Sequence, residues 1–411
     1  MSRVVGFARG ARAFPDPHQE ASAMAFGGWG KRMSKGLSLQ ASLPVAIDFG
    51  VGSLKVLQVS GVPPMSLVAA ACLETPEDLL GDPARRFEFQ TMALPRLMKA
   101  GGFTSRRVAC AIPAGQTYCK HLQLQAGDAN AIAAQVRGAV SSQMGCDPAA
   151  LLYRHIDVGP VGRNTTGGKT EVICMAVARD LVERVMGAVR AAKLELVGMS
   201  SEFHAVVRAM TTLGVTPDEA DAPSLYLDLG AGSTKVGVAH GDKLVFARAI
   251  DLGGRHMDHA IARQTRTDLG EARQLRLALR ELGGSAANAP TTPAGGAATA
   301  VAESDWTTRQ ATRALTEPIE ILTDEIAMCL RYADSLFPGK RPARVTFLGG
   351  ESRHTALCTQ VARALKMTAR AGDPIAGVAR TGKEPCRGVD FSMPQPGWAL
   401  VLGLALCPTD L

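Results

Sequence analysis

Two stretches of this chain, Val45 to Gly61 and Leu225 to Gly241, align without a gap and share Asp48/Asp228, Gly50/Gly230, Gly52/Gly232, Ser53/Ser233, Lys55/Lys235, Val56/Val236 and Gly61/Gly241. Seven identities in seventeen positions, on a matching apolar alternation, make the chain one strand–turn–strand unit carried twice, and point to two related domains facing one another. In each copy an apolar strand delivers a carboxylate to its end. Glycines then let the backbone bend closely, and a serine hydroxyl with exposed N–H groups forms a concavity suited to phosphate. An Asp at that point suits a hydrated Mg²⁺, a hard cation that keeps waters and takes one or two carboxylates beside phosphate oxygens. Two such bends would grip one polyphosphate from opposite sides. An ordinary hairpin turn, with Gly and Ser chosen for backbone angles alone, explains either copy singly, but the repetition argues against it. A dinucleotide-binding turn needs a helix after its glycines, whereas Val236-Gly-Val-Ala239 and Leu244 to Ile250 read as strands around His240-Gly-Asp242.

A third element is Val345-Thr-Phe-Leu-Gly-Gly350-Glu-Ser-Arg-His354, a buried-type strand that ends in paired glycines and runs into a helix over about Ser352 to Lys366. Paired glycines at a strand end permit close approach by a flat base or sugar, and the helix start offers free N–H groups. Between these motifs strands and helices alternate. Helices are expected over Phe87–Ala100, Asp128–Met144, Arg179–Lys193, Gly270–Leu282 and, as a single element, from about Trp306 to Phe337. Residues 1–42 are a patternless run of Gly, Ala and Arg, expected to be disordered, with Met24 and Met33 as alternative starts. Domains are expected over 43–223 and 224–411, the second interrupted at 283–302 by a flexible insertion rich in Gly, Ala, Pro and Thr.

Composition narrows the classes further. At roughly 150 residues per domain, 411 residues give two or three domains. With 46% apolar and 20% charged residues the chain is ordinary for a globular protein, and its longest apolar run, Trp398–Cys407, is about half of the ~20 residues a membrane-spanning helix needs. No transmembrane segment is expected. A net charge of +7 and a pI of about 9.0 would suit nucleic acid or an anionic membrane surface. The basic excess is thinly spread and aromatics are only 5%, so nucleic acid is not an expected partner. Nine cysteines without a CxxC read as reduced thiols in a cytoplasm. Gly162 to Thr170 imitates a phosphate loop but has five residues between its first Gly and Gly-Lys-Thr and leads into a strand, so it reads as a hairpin loop. His256 and His259 lack a third ligand nearby in sequence, which leaves a surface pair rather than a metal site.

In this order the motifs resemble phosphate 1, phosphate 2 and adenosine of the actin-like ATPase superfamily, in Asp48-Phe-Gly-Val-Gly-Ser-Leu-Lys55, Asp228-Leu-Gly-Ala-Gly-Ser-Thr-Lys235 and Leu348-Gly-Gly-Glu-Ser352. Within it the chain is similar to the PilM family of type IV pilus assembly proteins, relatives of the division protein FtsA. The likeness lies in a basic start before the first strand, in Phe246-Ala-Arg-Ala-Ile-Asp-Leu-Gly-Gly254 and in the ending Ala399-Leu-Val-Leu-Gly-Leu-Ala-Leu406. The resemblance covers about Pro44 to the C-terminus. It implies an α/β actin-like ATPase fold, two duplicated ribonuclease-H-like domains around a central nucleotide cleft, with an inserted subdomain over about 87–178. It implies ATP and Mg²⁺, held by Asp48, Gly50, Gly52, Ser53, Lys55, Asp228, Gly230, Gly232, Ser233, Thr234, Lys235, Arg276, Gly349, Gly350 and Glu351, with Asp48 and Asp228 on the metal. Asp228 and Glu202 are the candidate catalytic acids.

The same resemblance implies a cytoplasmic scaffold, peripheral to the inner membrane, that binds the N-terminal tail of a bitopic PilN-like protein in a groove beside the inserted subdomain. A pilus assembly ATPase and further copies of the chain are left open as partners. Two departures bear on the chemistry. The family's usual Ala-Glu-x-x-Lys appears as Ala272-Arg-Gln-Leu-Arg276, and Arg273 cannot accept a hydrogen bond from a ribose hydroxyl. Val51 and Gly52 replace hydroxyl residues in the first bend. The expected activity is therefore at most slow ATP hydrolysis, with a sugar or acetate-type kinase and a degenerate nucleotide-free scaffold as alternatives.

Overall fold

Val45-Ala-Ile-Asp-Phe49 is apolar on both faces up to Asp48 near its end, the pattern of a strand covered on both sides, and in the computed structural model it is β1 (Val45–Phe49), an inner strand of the first sheet. The structure describes residues 43–144, 147–161, 168–213, 223–285, 298–337 and 341–407, and residues 41–411 form one compact unit. The expectations for residues 1–42 and for the loop at 162–167 lie outside the described residues.

The first half runs β1, β2 (Ser53–Ser60), β3 (Ser66–Glu74), α1 (Pro83–Ala100), β4 (Arg107–Ile112), β5 (Tyr118–Gln125), α2 (Ala129–Met144), β6 (Leu151–Val161), β7 (Lys169–Ala178), α3 (Arg179–Ala191), β8 (Glu195–Ser201) and α4 (Glu202–Leu213). The second runs β9 (Pro223–Leu229), β10 (Thr234–His240), β11 (Lys243–Ile250), α5 (Gly254–Thr265), α6 (Leu269–Ser285), α7 (Ala298–Ala314), α8 (Thr316–Leu336), β12 (Arg344–Leu348), α9 (Thr355–Leu365) and β13 (Thr368–Ala371). It ends with β14 (Cys386–Arg387) and α10 (Ala399–Leu406).

Two of the three sheets repeat one plan. The first has the order β14-β3-β2-β1-β4-β8 and the second β11-β10-β9-β12-β13. In each an antiparallel three-stranded meander is extended by two parallel strands, so β1, β2, β3, β4 and β8 correspond to β9, β10, β11, β12 and β13. Even the irregularity is duplicated. The register slips between Gln58 and Val59 in the first sheet and between Val238 and Ala239 in the second, equivalent positions of the aligned segments.

Both faces of the first sheet are buried. Val45, Ile47, Leu54 and Val56 meet Leu94 of α1 and Val185 and Val189 of α3, while Ala46 and Leu57 face the core shared with α4 and α10. Helix α1 starts sharply because Asp82 accepts from the Ala84 and Arg85 N–H groups with Pro83 in the first turn. The third sheet, β5-β7-β6, is separately hydrogen-bonded, carries α2 on one face, through Leu122, Val172 and Cys174 against Ile132, Val136 and Val140, and meets β11 of the second sheet with the other.

Four features differ from the sequence expectations. Strands β3, β5, β8 and β13 are additional to those expected. The element expected from Trp306 to Phe337 is two helices, because Pro318 has no N–H to continue a helix through the turn at Leu315 and instead sits in the first turn of α8. The separate subdomain begins near Tyr118 rather than at 87, since α1 packs on the first sheet and β4 pairs with β1 and β8 inside it. Of the insertion expected at 283–302, residues 283–285 continue α6 and 298–302 open α7, and 286–297 lie outside the described residues.

Candidate functional site

The two bends are built alike. Register places Lys55 directly opposite Asp48 across β1 and β2, and Lys235 directly opposite Asp228 across β9 and β10. A Cβ on Gly50 would fall 2.9 Å from the Ser53 carbonyl oxygen, and one on Gly230 2.9 Å from that of Ser233, so both turns close only around glycine. The Gly230 N–H donates to the Ser233 carbonyl at 3.0 Å.

The bends also meet each other. A Cβ on Gly232 would lie 2.9 Å from Val51 Cγ2, and one on Gly52 3.3 Å from Ala231 Cβ. Val51, which departs from the hydroxyl pattern, therefore seats its side chain against the opposite bend. Asp48 and Asp228 lie within electrostatic reach of one another where the bends meet, and Glu202 joins them from the first turn of α4. The three carboxylates are 5%, 6% and 8% exposed respectively. Lys235 Nζ lies 3.0 Å from Asp228 Oδ2 and 3.2 Å from Glu202 Oε2, whereas Lys55 Nζ stands 4.0 Å from Asp48 Oδ2.

Burial, partly opposed by Lys55 and reinforced by Glu202, pushes the Asp48 carboxyl up to about 6. For Lys235 burial alone would favour the neutral amine, but Asp228 and Glu202 outweigh it and hold the ammonium above the ordinary lysine range. Thr234 does not face this cluster. Its buried hydroxyl donates to the Leu252 carbonyl at 2.8 Å and ties the second bend to the approach to α5.

The end of β12 supplies the third side. Gly349 adopts φ +86°, and a Cβ there would overlap the Leu229 carbonyl and the Asp228 carboxylate, so glycine is obligatory where this strand crosses the second bend. Glu351 turns onto Arg276 of α6, and Arg276 Nε also donates to Asp258 Oδ1 of α5 at 2.6 Å. Arg276 is 3% exposed, so this triad is a buried floor rather than an open contact surface. Above it lies a cavity of about 660 Å³ lined by Arg255, Asp258, His259, Asp268 and Arg273 from the second half and by Glu77, Asp78, Leu80 and Gly81 from the first. Arg255 adjoins the second bend through its N–H bond to the Ala231 carbonyl at 2.8 Å.

The sequence motifs thus locate both bends and the β12 end, but not Asp258, Arg255 or His259 as parts of the site. Those three lie within five positions on α5 and are brought in by helix orientation, for which the Gly253-Gly254 pair was the only signal. His256 is instead spent on the helix start, where Nδ1 accepts from the Gly253 N–H at 3.1 Å. Among the described residues no group of three His, Cys, Asp or Glu side chains is arranged to hold a metal ion.

A model of the family described as type IV pilus assembly protein PilM matches residues 46–288, more than half of the 411 residues. This chain belongs to that family. A second model, of cell division protein FtsA, matches residues 225–392. Among solved structures, one described as the PilM-PilN type IV pilus biogenesis complex aligns with 22% identity and a TM-score of 0.68, covering 88% of this chain and 97% of that one. Ethanolamine utilization protein EutJ from Carboxydothermus hydrogenoformans aligns at 16% identity over 88% of this chain and 89% of its own, with a TM-score of 0.48. MreB5 of Spiroplasma citri bound to AMPPNP aligns at 10% identity over 89% and 96%, also with a TM-score of 0.48. No curated protein matches the chain. The PilM-family fold seen here is the actin-like one, two ribonuclease-H-like halves with a subdomain inserted in the first.

Proposed function

We propose that this PilM-family chain is a cytoplasmic, actin-like scaffold of type IV pilus assembly that holds ATP between its halves and binds the N-terminal tail of a PilN-like inner-membrane protein. One observation carries the nucleotide part. Two glycine bends, each with a buried acid opposite a lysine, abut across the seam at Val51–Gly232 and Gly52–Ala231. The residues fit ATP. The turns offer close backbone approach to phosphates, and an adjoining cavity within the volume range of ligand pockets, roughly 300–1,000 Å³, is lined by Arg255 and Arg273 beside the acids Glu77, Asp78, Asp258 and Asp268.

The donor set suits a resident divalent ion less well, because Lys235 already occupies Asp228 and Glu202. For the same reason ATP turnover is proposed to be slow, since both candidate acids are engaged by an ammonium. The partner part draws on family membership and on the solved PilM-PilN complex, whose fold this chain shares over most of its length. No helix among the described residues is long and apolar enough to cross a membrane, so a membrane-bound partner would supply the attachment.

Calorimetric titration tests both parts. Mg²⁺-ATP is expected to bind the unaltered chain and to give no heat with Asp48→Ala/Asp228→Ala, whose circular dichroism stays native. Undiminished binding by that variant would refute the site. A peptide of a PilN-like tail is expected to bind the full chain, and deletion of residues 118–178 to abolish it.

A further inference from the structure

The two bends match in backbone and differ in what their lysines do. Lys55 makes one long approach to the acid opposite it, 4.0 Å to Asp48 Oδ2. Lys235 makes two close ones, 3.0 Å to Asp228 Oδ2 and 3.2 Å to Glu202 Oε2. Asp228 ends β9 in the second half, while Glu202 opens α4 in the first. The three side chains are 12%, 9% and 10% exposed, so the ammonium is held between two carboxylates with little water to compete. Asp48 and Lys55 are the other charges of the cluster, which makes three carboxylates against two ammoniums.

A buried cation with two carboxylate oxygens at about hydrogen-bond distance satisfies the charge that would otherwise draw in a divalent ion. For a metal to take Asp228 and Glu202, the ammonium would have to give up both close contacts and stay buried beside a second cation, with only Asp48, already opposite Lys55, left to it. A neutral side chain at 235 would leave three carboxylates against one ammonium, the kind of surplus that hard cations neutralise. We infer that Lys235 is the resident cation of this site, a tethered ammonium that occupies the place of a divalent metal between Asp228 and Glu202 when no nucleotide is bound. The inference rests on the nucleotide reading only for the purpose of the site. Its test needs no nucleotide.

Mn²⁺ alone, titrated into the full chain and followed by electron paramagnetic resonance of the free ion, decides it. Lys235→Met is expected to bind one Mn²⁺ at least roughly tenfold more tightly than the unaltered chain. The same variant should melt lower in metal-free buffer and recover on adding Mn²⁺. Combining Lys235→Met with Asp228→Asn and Glu202→Gln should abolish the uptake. Two results overturn the inference: equal Mn²⁺ affinity with and without the lysine, or no uptake by a folded Lys235→Met. Should Lys235→Met not fold, the lysine-bearing chain still decides. Mn²⁺ uptake by it that is lost in Asp228→Asn/Glu202→Gln overturns the inference, and the absence of such uptake upholds it. Failure of ATP to bind, with these metal results intact, would count against the nucleotide reading alone.

Discussion

Asp48 carries the surplus negative charge of the central cluster, and its titration gives that surplus a measurable sign. Its folded pKa of about 6 stands above the ordinary 3.8, so between about pH 4 and 6 the folded chain keeps a proton that the unfolded chain has lost. Stability is therefore expected to fall as pH rises through that window, by an amount on the order of 3 kcal/mol, and to stay low above it. Asp48→Asn should remove this dependence, so that urea midpoints at pH 8 are higher in the variant than in the unaltered chain although ATP binding is weaker. Gly349→Ala should act in the opposite direction. With φ at +86° and no room beside Leu229 and Asp228, it is expected to cost about 1–3 kcal/mol or more in equilibrium denaturation. At this scale much was legible, since the spacing from Asp to Lys in each bend already set them across one hairpin. The role of Glu202 was not, because it arrives from another element and nothing in its own neighbourhood shows that Lys235 lies beside it.

Strand β11 is the edge of the second sheet, and the inserted sheet covers it. At Ala247 the outward backbone is satisfied by side chains. The N–H donates to His121 Nε2 at 3.3 Å, and Cys119 Sγ donates to the carbonyl at 3.4 Å. An acceptor at Nε2 puts the ring proton on Nδ1, which donates to Glu171 Oε1 at 2.9 Å, and Tyr332 of α8 donates to the same oxygen at 3.1 Å. His121→Ala is thus expected to leave the Ala247 N–H and the buried Glu171 short of partners and to cost about 1–3 kcal/mol, with faster amide exchange at Ala247 as the local readout. The same strand places Ala249 opposite Lys235, two residues from Ala247, so a shift of the second bend would be felt at the joint with the inserted subdomain. Periodicity showed most strands and helices here but not which strands pair. The parallel pairing of β4 with β1 is a long-range choice, and it is what moved the subdomain boundary away from residue 87.

At the scale of the molecule, the second half gives its chain end to the first. The segment after β13 returns to the first half, adding β14 beside β3 and packing α10 against β1, β2, β4 and α4. Helices α4 and α10 cross so closely that a Cβ on Gly403 would overlap the backbone of Ala205. Gly403→Ala is expected to push the helices apart and cost about 1–3 kcal/mol, read as a lower urea midpoint. The duplication that organises the molecule was plain in the sequence. The return of the C-terminal segment was not, since an apolar run such as Ala399 to Leu406 declares that it is buried but not against which half. The seam between the bends has a consequence for heredity. Val51 fills the hollow over Gly232 and Ala231 the one over Gly52, so the volume available there is a fixed sum divided between twins. Growth on one twin, as in Gly232→Val, is ruinous by itself and tolerable only with shrinkage on the other, as in Val51→Gly. A change of size in one bend is therefore expected to be read in the other.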